Sequence, residues 1–464
     1  MATVALEQEK IGVKEKISYG LAATGNNFLF DLGQLFLLKF YTDYLGLPAV
    51  VAGSVFLLTK IFDAFADLSV GTWVDGRQKI GPAGRFRPFM LYGIVPIMVM
   101  SVVCFLIPDV TVTWKTVYAY VTYMGFGFFY SLVNIPYGAM LPSITQDPVL
   151  RSEMAAYRTA CGHIGLMISM AGFIPIVKMF SNPAQGYLVA ATVFSIAGGI
   201  CIYLSYAGIK ERVAVKRKPK TFADIRSSYK SLFKNNPLML ICATNVLVFS
   251  AWNVKLAVQV YFCQYYLKDL TIMSYMGFLS AAALFAGVAS VPPLVKRLGK
   301  KKTWLIGAGI WVVGDVLNYC LTSTPVVYMA FTCLAFYGSA YLSTLAWALE
   351  SDTVEYGEWK TGQRAEGIVY SSFTFFRKLS QGLAGFIPGT FLGFVGYVPN
   401  AVQKAETLQG LKILVFVYPG VMIALALALM YFGYHLTEDR YKVIVAELNE
   451  RKRQVAANSS GTAI

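Results

Sequence analysis

The segment Gly186–Lys220, GYLVAATVFSIAGGICIYLSYAGIKERVAVKRKPK, joins an apolar stretch to a run of lysines and arginines. About 20 predominantly apolar residues are enough to cross a bilayer as a helix. Lysine and arginine collect in the loops at the cytoplasmic face of membrane proteins. The segment therefore predicts a spanning helix that ends at the cytoplasmic face in a basic linker.

The whole chain has the composition of a membrane protein. Of its 464 residues, 56% are hydrophobic and 14% are charged, whereas soluble proteins carry about 25% charged residues. So little charge argues against a soluble enzyme, because it cannot coat a globule of this size. The net charge of +15 would suggest a nucleic-acid partner in a soluble protein. Here basic loops at an anionic lipid surface explain it, so no nucleic-acid partner is expected.

Twelve apolar segments are long enough to span a membrane. They lie at residues 18–43, 47–74, 87–107, 114–138, 154–181, 186–208, 237–266, 272–295, 303–322, 326–349, 366–395 and 411–435. Basic residues follow the second, sixth and eighth segments, whereas the first loop, Tyr44–Leu47, has no charge. Both termini are then cytoplasmic. We predict an all-α membrane protein of the bacterial cytoplasmic (inner) membrane, with twelve transmembrane helices in two six-helix halves around a central cavity, as in major facilitator transporters.

The predicted organisation has five parts. They are a cytoplasmic N-terminus at 1–17, an N-terminal six-helix half at 18–208, a basic cytoplasmic linker at 209–236, a C-terminal six-helix half at 237–435 and a cytoplasmic tail at 436–464. The seven cysteines lie in apolar stretches without metal-binding or disulfide spacing, so they are interpreted as packing residues. We expect no cofactor, and a monomer surrounded by lipid.

Asp63 and Asp67 are the strongest functional candidates. A spacing of four places both carboxylates on one face of a helix. Two carboxylates in a low-dielectric site cannot both stay charged without a proton, a cation or a basic partner, which is the chemistry of a coupling-ion site. The alternative is a structural role, in which they pair with Lys60 and other basic side chains.

Basic residues inside the predicted spans are candidates for binding an anion. Arg377 and Lys378 point about 100° apart on their helix, so one can face the carboxylates and the other the substrate. The alternative is that both are structural counter-ions. Arg158 suits substrate binding or a cytoplasmic gate equally well. His163 is interpreted as a packing residue rather than a proton relay.

A polar set on spans one and four suits a sugar. It consists of Asn26, Asn27, Asp31, Tyr130, Ser131 and Asn134. Sugars are bound by amides and carboxylates that hydrogen-bond their hydroxyls and by aromatic faces. The alternative is a polar clamp between helices. Trp252 and Trp347 are the aromatic candidates for the cavity.

Motifs at four separated places carry a resemblance. They are Asp63-Ala-Phe-Ala-Asp67 with Gly71, Asp75 and Gly84-Arg-Phe-Arg-Pro88; Tyr130-Ser-Leu-Val-Asn-Ile-Pro-Tyr-Gly138; Asp352-Thr-Val-Glu-Tyr-Gly-Glu358 with Gly362-Gln-Arg-Ala-Glu-Gly367; and Arg377-Lys378. In this order they resemble the glycoside–pentoside–hexuronide:cation symporter family, from about Lys14 to the end of the twelfth span. Within that family the chain looks most similar to glucuronide carriers and sulfoquinovose-type importers, and melibiose permease is more distant.

The resemblance implies sugar transport by cation-coupled symport and alternating access. It assigns Asp63 and Asp67 to the cation site, Lys378 to the lysine that pairs with them, Ser131 to a hydroxyl beside them and Arg158 to the sugar cavity. It also implies that loop motifs latch helix ends and gate the closed state. The residues of these loop motifs are Gly71, Asp75, Arg77, Arg85, Arg87, Asp352, Glu355, Glu358, Arg364 and Glu366.

Two departures from the family pattern refine the expectation. Asn27 and Asn134 stand where melibiose permease has aspartates, and this loss of negative charge favours an anionic sugar. The positive charges of Arg377 and Lys255 also favour an anionic sugar. Ala66 stands where the family's sodium site has an asparagine. Losing an oxygen ligand weakens a Na⁺ site but leaves a protonatable carboxylate pair, so H⁺ is favoured and Na⁺ at Asp63 and Asp67 is the alternative.

The sequence therefore predicts a secondary active symporter that imports an acidic sugar or glycoside, carboxylated or sulfonated. Na⁺-coupled transport of neutral glycosides, and a sugar exporter or facilitator, remain alternatives. So does a membrane sensor that does not transport. A membrane-embedded enzyme is not expected, because the sequence has no metal-ligand spacing, nucleophile–base pair or phosphate-binding loop.

Overall fold

The computed structural model describes residues 11–76, 84, 86–145, 148–212, 235–362 and 366–461, and their regular secondary structure is helical. Helix α1 runs through Val13–Leu32, the π-helical turn Gly33–Leu37 and Leu38–Asp43. The next five are α2 Ala49–Gly76, α3 Arg87–Val103, α4 Val112–Ala139, α5 Pro148–Lys178 and α6 Pro183–Gly208, with a short turn Leu141–Ile144 before α5.

Six more long helices follow, and a helical tail. They are α7 Asn236–Tyr261 with the π-helical turn Phe262–Tyr266, α8 Ile272–Leu298, α9 Lys300–Leu321, α10 Pro325–Thr361, α11 Glu366–Phe394, and α12 through Ala405–Lys412, Ile413–Val417 and Tyr418–Gly433, then α13 Glu438–Gly461. The count before the tail confirms the twelve predicted helices among the described residues. Helix α10 passes its predicted end at residue 349 and stops where Gly362 adopts φ +72°, a conformation that favours glycine.

Eight helical segments are long and apolar enough to cross a membrane by length and composition. They are Ala49–Gly71, Glu153–Lys178, Pro183–Gly208, Asn236–Tyr266, Ile272–Leu298, Lys300–Leu321, Pro325–Thr361 and Ala405–Gly433. Helix α3 is a shorter apolar helix. Functional candidates lie both outside this group, on α1, α4 and α11, and inside it, on α2, α5 and α7.

The described residues group into two compact units. The first unit comprises Met1–Lys218, Leu256–Ala281 and Gly385–Leu411. Within it, α1 packs against α5 and α6, and α4 packs against α2 and α3. The contact of α1 with α6 is close because a Cβ on Gly25 would lie 2.5 Å from the carbonyl oxygen of Gly198. Such small-residue contacts let membrane helices approach each other.

The second unit comprises Pro219–Lys255, Ala282–Ala384 and Lys412–Ile464. Within it, α9 packs against α10 and α12, around a core that includes Trp304, Trp311 and Leu345. The tail helix α13 packs on α10 and buries Ile444. The boundaries of the units fall inside α7, α8 and α11, so each of these helices contributes residues to both units.

Candidate functional site

Asp63 on α2 lies in a buried polar niche of the first unit. The Lys60 Nζ donates to Oδ2 of Asp63 at 2.8 Å, and Lys60 also lies 5.1 Å from the centre of the Phe30 ring. The other oxygen, Oδ1, is buried without a hydrogen-bond partner among the described residues. That oxygen faces α4 at Gly127, where a Cβ would collide with it. One carboxylate oxygen is therefore paired with a basic side chain, and the other is buried without a described partner.

Asp67, one turn further along α2, accepts a hydrogen bond from α4. The Ser131 Oγ lies 2.5 Å from Oδ1 of Asp67, and Asp67 is half-buried. Gly127 and Ser131 are themselves one turn apart. The two carboxylates of α2 therefore face successive turns of α4. The contact of Asp63 with Lys60 also agrees with the alternative of a structural role. Binding of the coupling ion by Asp63 therefore stays a prediction.

The predicted sugar amides make contacts between helices. The Asn27 Nδ2 donates to the Gly162 carbonyl of α5 at 2.8 Å, and the Asn26 Nδ2 lies 3.5 Å from Oδ1 of Asn134 on α4. These bonds are those of the helix clamp named as the alternative. Oδ1 of Asn26 is buried without a partner among the described residues, so part of this set keeps unused hydrogen-bonding capacity.

Asp31 is a second buried carboxylate on α1. Its Oδ2 has no hydrogen-bond partner among the described residues. The neighbouring Phe30 ring packs 5.2 Å from the ring of Tyr130. A buried carboxylate oxygen without a described partner can accept a hydrogen bond from a sugar hydroxyl.

Arg158 on α5 lies over an aromatic ring. Its guanidinium carbon is 4.8 Å from the centre of Tyr137 on α4, whose hydroxyl donates to the Tyr19 carbonyl of α1 at 2.8 Å. The half-buried guanidinium is thus held by a cation–π contact. His163, one turn and a half further on, has Nδ1 2.8 Å from the Thr159 carbonyl, a local contact that agrees with a packing role.

Arg377 and Lys378 lie side by side on α11 in the second unit, and both are half-buried. The Nε of Arg377 is buried without a hydrogen-bond partner among the described residues. Arginine presents a planar fork that matches carboxylate and sulfonate groups. Arg377 therefore retains a buried donor for an anion, while the proposed pairing of Lys378 stays a prediction.

Lys255 on α7 forms an ion pair inside the protein. Its ammonium pairs with Oδ1 of Asp315 on α9, and both side chains are buried. The other oxygen of Asp315 accepts from the Trp311 Nε1 at 3.0 Å. The charge of Lys255 is therefore already matched, and this weakens the argument for Lys255 as an anion ligand.

The two aromatic candidates differ in their surroundings. Trp252 packs edge-on against Trp311 and Phe336 and belongs to the packing of the second unit. The ring of Trp347 on α10 lies tilted against that of Phe373, with ring centres 4.8 Å apart, and 39% of its surface is exposed. Trp347 is therefore the more exposed of the two.

The described loop-motif residues make contacts at helix ends. The Arg87 guanidinium donates to the Tyr206 carbonyl at 2.7 and 3.0 Å, and the Lys300 Nζ donates to both oxygens of Asp352 at 2.6 and 2.8 Å. Glu358 is buried and Glu355 half-buried, while a Cβ on Gly71 would meet no atom within 4 Å. Outside the described residues lie Arg77, Arg85 and Arg364, and the side chains of Asp75 and Glu366.

Three features of the structure were not predicted from the sequence, although Lys255 itself was a candidate. They are the glycine notch at Gly127, the pair of Lys255 with Asp315, and a cluster around Asp43 at the end of α1. The i, i+4 spacing of Lys39 and Asp43 was the available signal for the last, because such a spacing favours an ion pair.

Comparisons with known proteins agree with this fold. A family model described as "MFS/sugar transport protein" matches residues 18–438. The chain is 46% identical to a "Putative 2,3-dihydroxypropane-1-sulfonate exporter" of Salmonella typhimurium, over 96% of this chain and 98% of that protein. It is 45% identical to a "Putative sulfoquinovose importer" of Escherichia coli K12, over 98% and 97%. A crystal structure of a mutant of the nucleoside transporter NupG matches 89% of this chain and 99% of that one, with a TM-score of 0.64 and 15% identity.

Proposed function

Since the chain belongs to the MFS/sugar transport protein family, we propose that it is a cation-coupled symporter that imports an acidic sugar or glycoside. Its membership makes it a multi-pass membrane transporter rather than an enzyme. The coupling ion, the substrate and the direction of transport are the parts that we propose.

In this proposal, Asp63 and Asp67 form the coupling site. The observation that carries this assignment is the buried oxygen of Asp63 that faces Gly127 and has no described partner. A proton or cation bound here would relieve the repulsion between the two carboxylates. A change in the charge of Asp67 would alter its hydrogen bond with Ser131 on α4. The coupling ion is H⁺ rather than Na⁺, because Ala66 supplies no side-chain oxygen.

The substrate carries an anion that Arg377 binds. The support is the buried Nε of Arg377 without a described partner, together with the two relatives named for sulfonates. Asp31 and Asn26 have buried oxygens that can accept hydrogen bonds from sugar hydroxyls. Ion and sugar then tighten each other's binding by the same factor, because coupling between two binding sites is reciprocal.

Export is the second candidate for direction. It is favoured by the relative named as an exporter of a three-carbon sulfonate, which is as similar to the chain as the importer. The direction of substrate flux under an imposed proton gradient would separate the two candidates. An inward proton gradient that drives uptake of the sulfonate supports import by symport, and one that drives efflux of the sulfonate from loaded vesicles supports export.

The test is accumulation of substrate in vesicles containing the purified protein. An inward proton gradient without Na⁺ should drive uphill uptake of sulfoquinovose or a glucuronide, and a protonophore should abolish it. Asp67→Asn should remove the accumulation, whereas Asp109→Asn in an exposed loop should retain it. Full accumulation by Asp67→Asn would refute the ion site. Uptake driven only by a Na⁺ gradient would replace H⁺ with Na⁺.

A further inference from the structure

The end of α1 carries a buried, fully matched charge cluster. Lys39 and Asp43 form an ion pair one turn apart, and both side chains have no exposed surface. The Thr42 hydroxyl donates to Oδ1 of Asp43 at 2.8 Å. Because α1 starts at Val13, this cluster lies at the end of the helix away from the N-terminus. That end faces outward in the predicted topology.

Two tyrosines from distant parts of the chain complete the shell of the Asp43 carboxylate. The Tyr265 hydroxyl donates to Oδ2 at 2.9 Å, and the Tyr397 hydroxyl donates to Oδ1 at 2.5 Å. The Asn400 Nδ2 donates to the Asp43 backbone carbonyl at 2.6 Å. Hydrogen bonds to an ionised acceptor are about twice as strong as neutral ones, so Asp43 is the acceptor on which these segments converge.

The ammonium of Lys39 is enclosed by the same segments. It lies 4.9 Å from the ring centres of both Tyr261 and Tyr265. The Tyr261 hydroxyl is 3.0 Å from the Thr42 hydroxyl. Cation–π contacts strengthen when water is excluded, and here the cation has no exposed surface.

These partners come from the parts of α7 and of the α11–α12 loop that belong to the first unit. Tyr261 and Tyr265 lie at the end of α7, whose earlier residues, up to Lys255, belong to the second unit. Tyr397 and Asn400 follow α11, whose residues up to Ala384 also belong to the second unit. Transport by alternating access requires this end to open and close. The hydrogen bonds to Asp43 are among the polar contacts that must break when this end opens.

We infer that Asp43 is the centre of a releasable outer lock, in which Tyr265, Tyr397 and Asn400 hold the end of α7 and the α11–α12 loop against α1. The Lys39–Asp43 pair lies within one helix, so it persists when the other segments leave. Neither buried charge loses its partner in either state. An unpaired buried charge would be costly. Opening therefore breaks contacts in which the tyrosines and Asn400 are themselves uncharged, while the Lys39–Asp43 ion pair stays formed. The inference rests on the transporter family and on neither the substrate nor the ion proposed above.

Hydrogen–deuterium exchange of the purified protein in lipid nanodiscs tests the lock without substrate. Tyr397→Phe removes one hydroxyl that donates to Asp43. It should accelerate exchange in residues 256–271 and 396–404 by roughly tenfold, the change expected when one hydrogen bond to a charged acceptor is lost. Tyr187→Phe is the matched control: Tyr187 is 1% exposed at the same end of the first unit, 5.0 Å from the Tyr44 ring, and its hydroxyl has no described partner.

A second, double variant tests the lock in case Tyr397→Phe does not fold. Lys39→Met with Asp43→Asn removes both charges together and so leaves no unpaired one. It should raise exchange in the same two segments, while α6 exchanges as in the wild type. Exchange in Tyr397→Phe and in the double variant that equals that of Tyr187→Phe would overturn the lock. An equal rise across all helices would also overturn it, because it would show a general loss of stability.

Discussion

The carboxylate of Asp63 lies directly against the backbone of Gly127, so closely that no Cβ fits at this position of α4. Only hydrogen is small enough there. The oxygen concerned is the one that lacks a described partner. A glycine thus sets the position of the carboxylate that we assign to the coupling ion.

Gly127→Ala should therefore uncouple transport. The added methyl group must displace the Asp63 carboxylate, which is held from the other side by Lys60 at 2.8 Å. We expect the ion to lose most of its effect on sugar affinity, which amounts to roughly 5- to 150-fold in coupled systems. Titration of sugar binding with and without the ion measures it.

Gly125→Ala is the control for this prediction. A Cβ on Gly125 would meet only the flexible Met100 side chain, 3.2 Å from its sulfur. This variant should keep the ion effect. If Gly127→Ala kept it as well, the notch would have no role in coupling.

The helices and the α2 carboxylate pair could be predicted from the sequence, because both depend on local patterns. Long apolar runs must form helices in lipid, and the spacing of Asp63 and Asp67 places them on one face. The partners of these residues could not be predicted. Asn27 bonds a backbone carbonyl, which residue types do not reveal, and Lys255 pairs with Asp315 sixty positions away. The tyrosines around Asp43 resemble ordinary packing residues until the fold brings them together.

Arg377→Ala should discriminate between charged and neutral sugars. Its buried Nε has no described partner, so this N–H group can donate a hydrogen bond to an anion. Loss of a charged hydrogen bond costs about 1.5–3 kcal/mol, or roughly 10- to 150-fold in affinity for the acidic sugar. Binding of the sugar and of its neutral analogue is measured side by side by calorimetry.

Arg451→Ala controls for the lost charge, because Arg451 lies exposed on the tail helix α13. It should leave both affinities unchanged. Equal losses for both sugars in Arg377→Ala would mean that Arg377 acts on the fold and not on the anion.

Lys255→Met should destabilise the protein rather than change its substrate. It leaves Asp315 buried without its counter-ion, at a cost of about 3–5 kcal/mol. Lys255→Met with Asp315→Asn should recover most of the stability, because no charge is then buried. Thermal unfolding in detergent measures both. A single variant that melts like the wild type but loses affinity for the acidic sugar would instead support the anion role.

Gln259 on α7 should act against the outer lock. It is fully buried, and neither atom of its amide has a hydrogen-bond partner among the described residues. A buried amide without such bonds costs about 1–3 kcal/mol, which destabilises the locked arrangement relative to one that lets the amide reach water. Gln259→Met keeps the size of the side chain and removes this cost. It should raise the melting temperature and slow exchange in residues 256–271, opposite to Tyr397→Phe.

Asn245→Leu is the matched comparison for Gln259→Met on the same helix. Asn245 is also buried, but its Nδ2 donates to the Ile241 carbonyl at 2.9 Å, so its replacement removes a bond that is already made. It should therefore give no gain in melting temperature. A gain from both variants would point to general hydrophobic stabilisation of α7. A gain from Gln259→Met alone, with slower exchange in 256–271, would mean that this amide sets how readily the end of α7 is released from α1.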